Sequence, residues 1–307
     1  MAFSLVEAAK LTDKTYLKGI MMILAESTPV MERMKWMDIP GKALDYNQQI
    51  AVSGVGFRDI NGTLNQSNLV LQNSVEILKI MQAKAEVDRA LLKTRVDGDA
   101  LRKQILKDKL TALAYSFTYN FFKGDVAVDP KGFDGLEKRL TGRQVLDAAG
   151  ELTLEKLDEL ILRVQGPNNK KTLYVGNKDF IKIKKLVRAE GTEIVQKNAF
   201  GQDILFYGDV EIARIDTYDK GDQETGVVET VEILGKNETF NAVENTSSIY
   251  CVLHGDGENG VTGIQNSSGI DVRQYNLEPN EVTDVEWING FGVFAPRAAA
   301  RLAGITA

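Results

Sequence analysis

The sequence predicts an α+β fold built around one long helix, and three observations support this. First, apolar residues in the segment 97–123 recur at steps of three to five, which is the period of one helical face. At about 1.5 Å per residue, the segment forms a helix of roughly 40 Å. Second, helical and strand patterns interleave along the chain without a repeated βαβ period. Third, apolar residues make up 43% of the 307 residues, which is ample for a large core.

The two halves of the predicted helix differ in composition. Asp97 or Asp99 can cap its start, and Gly124 stands where a left-handed residue commonly ends a helix. The half at 99–109 carries charges opposite its apolar face, whereas the half at 111–122 carries five aromatic residues and almost no charge. We expect the first half to be solvated on one side and the second to be buried nearly all round. On periodicity alone, the core helix of an ordinary enzyme is the favoured interpretation.

The segment 1–40 predicts a separate N-terminal arm with loose amphipathic helix. Five of the seven methionines lie between positions 21 and 37, and methionine packs adaptably on irregular surfaces. The arm either lies on a neighbouring subunit or packs as a helix on its own body. For the first possibility, the candidate inter-subunit contacts are Met21, Met22, Met31, Met34 and Met37.

The segment 41–78 predicts a long two-stranded excursion. Its outgoing strand is polar and weakly patterned, its tip from Ser53 to Thr63 is rich in turn residues, and the chain returns through 74–87 with one apolar face. Such a hairpin is marginally stable alone in water, so it needs a surface to lie on, and another copy of the protein could provide one. A flap over an enzyme site is the competing interpretation. The candidate contacts at the tip are Phe57, Arg58, Asp59 and Asn61.

The part of the chain after the long helix mixes shorter elements. The pattern predicts a helix at 154–164 with Thr153 as its N-cap, a helix at 178–188 capped by Asn177, and a tight hairpin at Gly208-Asp209. Strands are predicted at 172–175, 204–207, 210–215, 227–233, 248–253, 270–272 and 285–294.

Charge and targeting signals point away from nucleic-acid and membrane ligands. The net charge of −6 leaves no basic excess. The N-terminus lacks a signal-peptide pattern, and the early apolar run at 19–25 is too short to span a bilayer. We therefore expect the chain to fold in the cytosol. Four basic residues predict a solvated helix face rather than a nucleic-acid patch: Lys182, Lys184, Lys185 and Arg188.

The sequence offers little chemistry for catalysis. His254 is the only histidine and Cys251 the only cysteine, so zinc sites, Ser-His-Asp triads and Cys-His pairs lack partners. Residues 255–260 fit the G-x-G-x-x-G spacing, but no helix follows, and Asp256 and Glu258 would repel phosphate. We interpret this run as a turn, and we expect no catalytic residue, no metal and no cofactor. A chain of this length without catalytic groups favours a structural role.

The order of parts resembles the major capsid proteins of tailed bacteriophages over nearly the whole chain. The run GFRDIN at 56–61 looks like the tip of the family's extended loop, VDRAL at 87–91 like the entry to its spine helix, and 97–123 like that helix. FKGD at 122–125 followed by FDGL at 133–136 is similar to the turn after it. SIYCV at 248–252, GVTGIQ at 260–265 and IDV at 270–272 resemble strands of its axial domain, and WINGFGV at 287–293 with PRAAARL at 296–302 its closing strand.

This resemblance implies a domain order. It divides the chain into an N-terminal arm at 1–40, an extended loop at 41–78, a peripheral domain at 79–149 with the spine helix, an axial domain at 150–276, and a return to the peripheral domain at 277–307. The aromatic half of the spine helix would then seat the strand at 285–294, and its charged half would lie at the shell surface or against a neighbour.

The resemblance also implies a function. Many copies, as pentamers and hexamers, would close into an icosahedral shell around double-stranded DNA without sequence-specific binding, in a virion assembled in the host cytoplasm. A separate scaffolding protein and a portal are the implied partners, and no membrane is involved. Encapsulins share this fold, so a cargo-loading nanocompartment shell is the nearest alternative, and a soluble α+β enzyme is a third.

Overall fold

The computed structural model describes residues 2–12, 15–51, 54–62, 70–94, 97–191, 194–197, 201, 203–221, 228–257 and 259–306. Ser53 and Thr63 at the ends of the predicted tip lie outside the described residues, as do Val227 and Glu258. Among the residues described, no helix is both long and apolar enough to cross a membrane.

Helices and strands alternate irregularly along the chain, in agreement with the predicted α+β class. In chain order they are β1 (Phe3–Ser4), α1 (Leu5–Leu11), α2 (Thr15–Ser27), α3 (Pro29–Arg33), β2 (Lys35–Ile39), β3 (Ala43–Ala51), β4 (Val70–Ile77), β5 (Lys79–Asp88), α4 (Arg89–Thr94), α5 (Gly98–Lys123), α6 (Leu136–Arg139), β6 (Val145–Gly150), α7 (Leu154–Arg163), β7 (Lys171–Gly176), α8 (Asn177–Ala189), β8 (Ile194–Lys197), β9 (Asp203–Tyr207), β10 (Val210–Ile215), β11 (Tyr218–Gly221), β12 (Val228–Val231), β13 (Glu238–Phe240), β14 (Val243–Leu253), β15 (Val261–Leu277), β16 (Asn280–Val293) and β17 (Ala299–Ile305).

A five-stranded sheet, in the order β1-β2-β15-β16-β5, carries the long helix α5. β2 runs parallel to β15, and the other neighbours are antiparallel. Trp287 lies two positions before Asn289 and Phe291 two positions after it, so Trp287 and Phe291 share one face of β16. Both are buried. This face packs on α5, as the sequence predicted for the strand at 285–294.

The aromatic end of α5 lies between this sheet and a second, larger one. The ring of Phe121 is 4.8 Å from that of Phe291 in the five-stranded sheet. The ring of Phe122 is 5.1 Å from that of Tyr250 and 5.5 Å from that of Tyr174, both of which belong to the second sheet. Two adjacent residues of one helix therefore join the two sheets in one core.

The second sheet has eight strands, seven of them in the order β6-β17-β14-β7-β10-β9-β8, with β13 beside β14. α7 joins β6 to β7, and α8 follows β7. Both helices bury apolar side chains such as Leu160 and Ile183 in the same cluster, so they cover the same face of this sheet. The hydroxyl of Thr153 accepts a hydrogen bond from the backbone N–H of Lys156 at 3.4 Å, which confirms the predicted N-cap of α7.

Two ribbons stand apart from these sheets: β3 with β4, and β11 with β12. The sequence predicted one return strand at 74–87, but the structure divides it at Leu78. β4 pairs with β3, β5 pairs with β16, and only Leu78 separates them. Leu78 is fully buried, and its N–H donates to the carbonyl of Lys42 at 2.8 Å.

The caps and the burial of two helices differ from the predictions. Gly124 ends α5 at φ −56° and is not left-handed; a side chain there would bring Cβ within 2.2 Å of the carbonyl oxygen of Phe133, so close approach explains the glycine. α8 starts at Asn177 itself, and Gly176 holds the N-cap position. Tyr119 is 40% exposed, so the aromatic half of α5 is not buried all round.

The structure assigns two groups of strands to other sheets than the sequence analysis did. The segments at 260–265 and 270–272 were grouped with that at 248–252, but they form one long strand, β15, in the five-stranded sheet beside β16. The segment at 296–302 was grouped with β16, yet β17 lies in the eight-stranded sheet between β6 and β14. A register shift between Gln265 and Ile270 keeps β15 paired with β16 on both sides of the Asn-Ser-Ser-Gly run at 266–269.

Candidate assembly surfaces

The hairpin of β3 and β4 forms a two-stranded ribbon separate from the two large sheets. Its strands pair antiparallel from Ala43 opposite Ile77 out to Ala51 opposite Val70. Because side chains alternate along a strand, the ribbon has two faces with different surroundings. Only the base of one face packs on the body.

Tyr46 anchors the base of this face. Its ring lies 4.7 Å from the ring of Phe294, and its hydroxyl donates to the carbonyl oxygen of Val293 at 3.2 Å. Burial, and then the nearby carboxylate of Glu76, raise the pKa of Tyr46 to about 12. The hydroxyl is therefore a neutral donor at any ordinary pH.

An ion pair fastens the other strand of the hairpin. The Arg139 guanidinium at the end of α6 donates to both carboxylate oxygens of Glu76, at 2.5 and 2.8 Å. Both side chains are largely buried, and the guanidinium also lies 4.3 Å from the centre of the Phe291 ring. A bidentate pair of this kind fixes orientation as well as distance.

The opposite face of the ribbon presents apolar side chains to solvent. Leu71, Val75 and Ile77 lie on one face of β4, and each is at least 50% exposed. Asn73 lies between Leu71 and Val75 on the same face, so the row is apolar at three of its four positions. Exposed apolar residues grouped on one face indicate a surface for a partner.

The tip of the hairpin is more exposed still. Val55, Phe57 and Ile60 are almost completely accessible, and Arg58, Asp59 and Asn61 are also exposed. The carbonyl of Asp59 accepts a hydrogen bond from the N–H of Gly62 at 3.0 Å, which closes a turn through Asn61 at φ 66°. A turn presents these apolar side chains without burying them in the subunit.

The two chemically distinctive residues, His254 and Cys251, are both buried. Nε2 of His254 lies 2.8 Å from the hydroxyl of Tyr174. Burial lowers the pKa of His254 to about 3, with a further contribution from Arg33 and Lys35, and burial raises that of Cys251 to about 12. Both side chains are therefore neutral at neutral pH and enclosed within the subunit.

The glycine-rich run is a turn between β14 and β15, as predicted. Asp256 pairs with Lys35 at 2.5 Å, and the N–H of Gly255 donates to the carbonyl of Val261 at 3.2 Å. Across the described residues, no group of three or more His, Cys, Asp or Glu side chains is arranged to hold a metal ion.

A family model for the major capsid protein GP7 matches residues 12–175, which is more than half of the chain. The chain belongs to the major capsid protein GP7 family. The match includes α2 and α3, the extended hairpin, α5 and the first strands of the eight-stranded sheet. None of the curated protein sequences matches the chain.

Solved structures resemble this GP7-family protein over most of its length. The SrpI encapsulin complex from Synechococcus elongatus is 13% identical, with a TM-score of 0.64 over 91% of this chain and 88% of that one. The capsid of an empty GTA particle is 12% identical, with a TM-score of 0.61 over 92% and 90%. Mycobacterium phage Bobi is 10% identical, with a TM-score of 0.57 over 91% and 90%. These likenesses confirm the predicted tailed-phage capsid fold, shared with encapsulins.

The arm methionines of this GP7-family protein fall into two groups. Met31 and Met34 are fully buried in the core of their own subunit and Met21 is nearly so, because α2 and α3 pack against α5. In this conformation those three cannot contact a neighbouring subunit. Met22 and Met37 are half-buried and remain candidates.

Several residues of the candidate surface were not predicted from the sequence. Val55 and Ile60 lie within the predicted tip segment but were not named as contacts. They share the exposure of the named residues, and their apolar character within a turn-rich run was the available signal. Glu76 and Arg139 are 63 positions apart, and nothing local marks them as a pair.

Proposed function

We propose that this protein is the major structural subunit of an icosahedral phage-type shell that encloses double-stranded DNA. The family match and a hairpin that leaves the body with an apolar tip support this proposal. A subunit that exposes Phe57 and Ile60 at the end of a paired ribbon has a surface that another copy can cover. Cyclic contacts between copies would be heterologous interfaces that close into pentamers and hexamers.

The hairpin would act as the reaching element of each contact. Its tip, with Phe57, Arg58, Asp59 and Asn61, would lie on a neighbouring copy, and Met22 and Met37 would add contacts from the N-terminal segment. An interface of about 1,000 Å² or more per neighbour would make each contact specific. The shell would be stabilised by many such contacts together.

The sheets suggest a division of labour within the subunit. We assign the arm to residues 1–40 and the extended loop to 41–78. The five-stranded sheet with α5 would form the peripheral domain, and the eight-stranded sheet with α7 and α8 the axial domain near the symmetry axes. Compared with the division that the sequence implied, this assignment places β15 in the peripheral domain instead of the axial domain. It places β6 and β17 in the axial domain instead of the peripheral domain.

A scaffolding protein, a portal and assembly in the host cytoplasm complete the proposal. One similar structure, the procapsid of satellite phage P4 (TM-score 0.51), includes a size determination protein, and an assembly partner of that general kind suits this chain. The net charge of −6 suits an inner wall that holds DNA by enclosure and not by sequence-specific contact.

The deciding experiment is overproduction of the chain, alone and with the scaffolding protein, followed by negative-stain electron microscopy. Closed shells are the expected result. Replacing both Phe57 and Ile60 by serine should leave a folded subunit that no longer forms shells, whereas the matched change of Val128 to serine, at an exposed apolar residue in another loop, should leave shells intact. Only monomers or dimers of the wild type under all conditions would refute the proposal.

An encapsulin-like compartment is the second candidate, because the SrpI encapsulin complex is among the similar structures. The contents of purified particles distinguish the two. Nuclease-protected double-stranded DNA of genome length supports the capsid, and a protein cargo without such DNA supports the compartment.

A further inference from the structure

A groove at one end of the eight-stranded sheet is open to solvent, and its lining includes Ile161 and Val210 of that sheet's core. It has a volume of about 790 Å³ and lies between α7, the end of α8 and the hairpin of β9 and β10. Its apolar wall includes Leu162, whose side chain is 75% exposed, and the ring of Tyr207. A groove with an exposed leucine in its wall can bind an apolar side chain of a partner.

Carboxylates surround this apolar wall. Asp158 on α7, Glu190 after α8 and Asp209 in the β9–β10 turn all line the groove, and each is exposed. Burial, and then a hydrogen bond from its hydroxyl to Asp158, raise the pKa of Tyr207 to about 12. The groove therefore favours an apolar side chain flanked by cations.

The same chain carries a surface of that description on α8. Lys178, Ile181 and Lys185 are spaced three and four residues apart, so they lie along one helical stripe. All three are exposed, and Ile181 is 69% accessible. Lys178 makes a long ion pair with Glu232, at 4.0 Å, and 61% of its side chain is exposed, so a partner can reach its charge.

We infer that the groove of one subunit receives the Lys178–Ile181–Lys185 stripe of the next copy. Ile181 would pack against Leu162 and Tyr207, and the two lysines would face Glu190 and Asp209. The pairing is heterologous, since the groove and the stripe are different surfaces, and repeating it around an axis gives a closed ring. This inference rests on the proposed shell function and names the contact that would join the eight-stranded sheets.

Reversing and then exchanging the charges tests the contact. The groove variant is Glu190→Lys with Asp209→Lys, and the stripe variant is Lys178→Glu with Lys185→Glu. Glu190 lies at the C-terminal end of α8, where a cation suits the helix dipole, and Lys178 lies at its N-terminal end, where a carboxylate does. Both variants should therefore fold, which circular dichroism and thermal melting check.

Shell yield is measured by sedimentation and negative-stain microscopy, with the scaffolding protein present. Each double variant alone should lower the yield by about tenfold or more, because like charges then meet across the contact. The quadruple variant restores opposite charges and should recover most of the yield. A matched control, Glu151→Lys with Glu244→Lys, changes the net charge as the groove variant does at exposed sites outside the groove, and should assemble normally.

A disulfide provides an independent measurement. In shells of Leu162→Cys with Ile181→Cys, oxidation should produce covalent multimers on a denaturing gel, and either single variant should not. Native Cys251 is buried and does not interfere.

The outcomes separate this inference from the function on which it rests. No shells from the wild type would refute the shell function. Wild-type shells with normal yields from both double variants, or with no recovery in the quadruple variant, would overturn the inference alone. Recovery with covalent multimers supports it.

Discussion

The aromatic end of α5 and the hairpin of β3 and β4 use apolar residues in opposite ways. Phe117, Phe121 and Phe122 are fully buried between two sheets, whereas Phe57 at the hairpin tip has no covered surface at all. The first set can contribute only to the stability of the subunit. The second contributes nothing to it and is available for association. Folding and assembly should therefore respond to different substitutions in this molecule.

The largest expected effect is in the core. Changing Phe117 to alanine removes a ring that contacts Trp36 at 5.4 Å and Phe133 at 5.6 Å, and should lower the free energy of unfolding by about 3–5 kcal/mol. Urea denaturation of the soluble subunit measures it. Tyr119→Ala, at an exposed site two residues along the same helix, is the control and should cost about 1 kcal/mol or less. Equal losses would mean that the buried end of α5 is not the stabilising centre.

Acid should lower the free energy of unfolding of the subunit because His254 is buried in its neutral form. The pKa of His254 is about 3 in the folded protein because of burial, against an ordinary value of 6.5. Since the unfolded chain takes up the proton first, this stability is fully present above pH 6.5 and is lost progressively as the pH falls toward 3. At pH 4.5 the loss is roughly 3 kcal/mol.

The variant His254→Gln isolates this contribution. Its free energy of unfolding should fall less between pH 7 and pH 4.5 than that of the wild type, because the titrating ring is gone while carboxylates elsewhere titrate in both. An identical pH dependence in the two proteins would exclude His254 as the cause.

A smaller, local effect is expected where the hairpin meets the body. Glu76→Gln removes the charge that Arg139 binds in a largely buried setting, and should weaken the base of the hairpin by about 2 kcal/mol. Hydrogen exchange should become faster in β3 and β4 and stay unchanged in α5. The matched variant Glu86→Gln breaks an exposed pair with Lys84 at 3.8 Å and should have almost no effect. Faster exchange throughout the subunit would show that the hairpin is part of the core after all.

Periodicity in the sequence was sufficient to predict the long central helix, and it was insufficient to predict the contacts that attach the hairpin to the body. The apolar row through Phe117 and Phe121 predicted the helix, because a helix that long must bury one face. Its contact with β16 was implied by the family resemblance, and the structure shows it. Glu76 and Arg139 could not be paired in advance, since their contact depends on how the chain returns after 60 residues. For the candidate surface, the sequence named the tip residues as contacts with a neighbouring copy. The structure exposes them, and the contact itself stays a prediction.

The remaining differences come from tertiary pairing that overrides local signals. In β15 the run around Ser268 and Gly269 reads locally as a loop, yet β16 holds the strand on either side of it in register. Methionine suits its own core and a neighbour's surface equally well, so composition alone could not separate Met31 from Met37.

The junction at Leu78 connects the hairpin directly to the five-stranded sheet. On the return side, one buried residue joins β4 to β5, and β5 is paired along its length with β16. On the outgoing side, β2 and β3 are joined through a turn that contains Gly41 at φ 97°. If a neighbouring copy pressed on the tip, as the proposed shell requires, the load would pass through Leu78 into β5 and through the contact of Tyr46 with Val293 into the end of β16. Both strands of the hairpin are thus tied to the same sheet that supports α5.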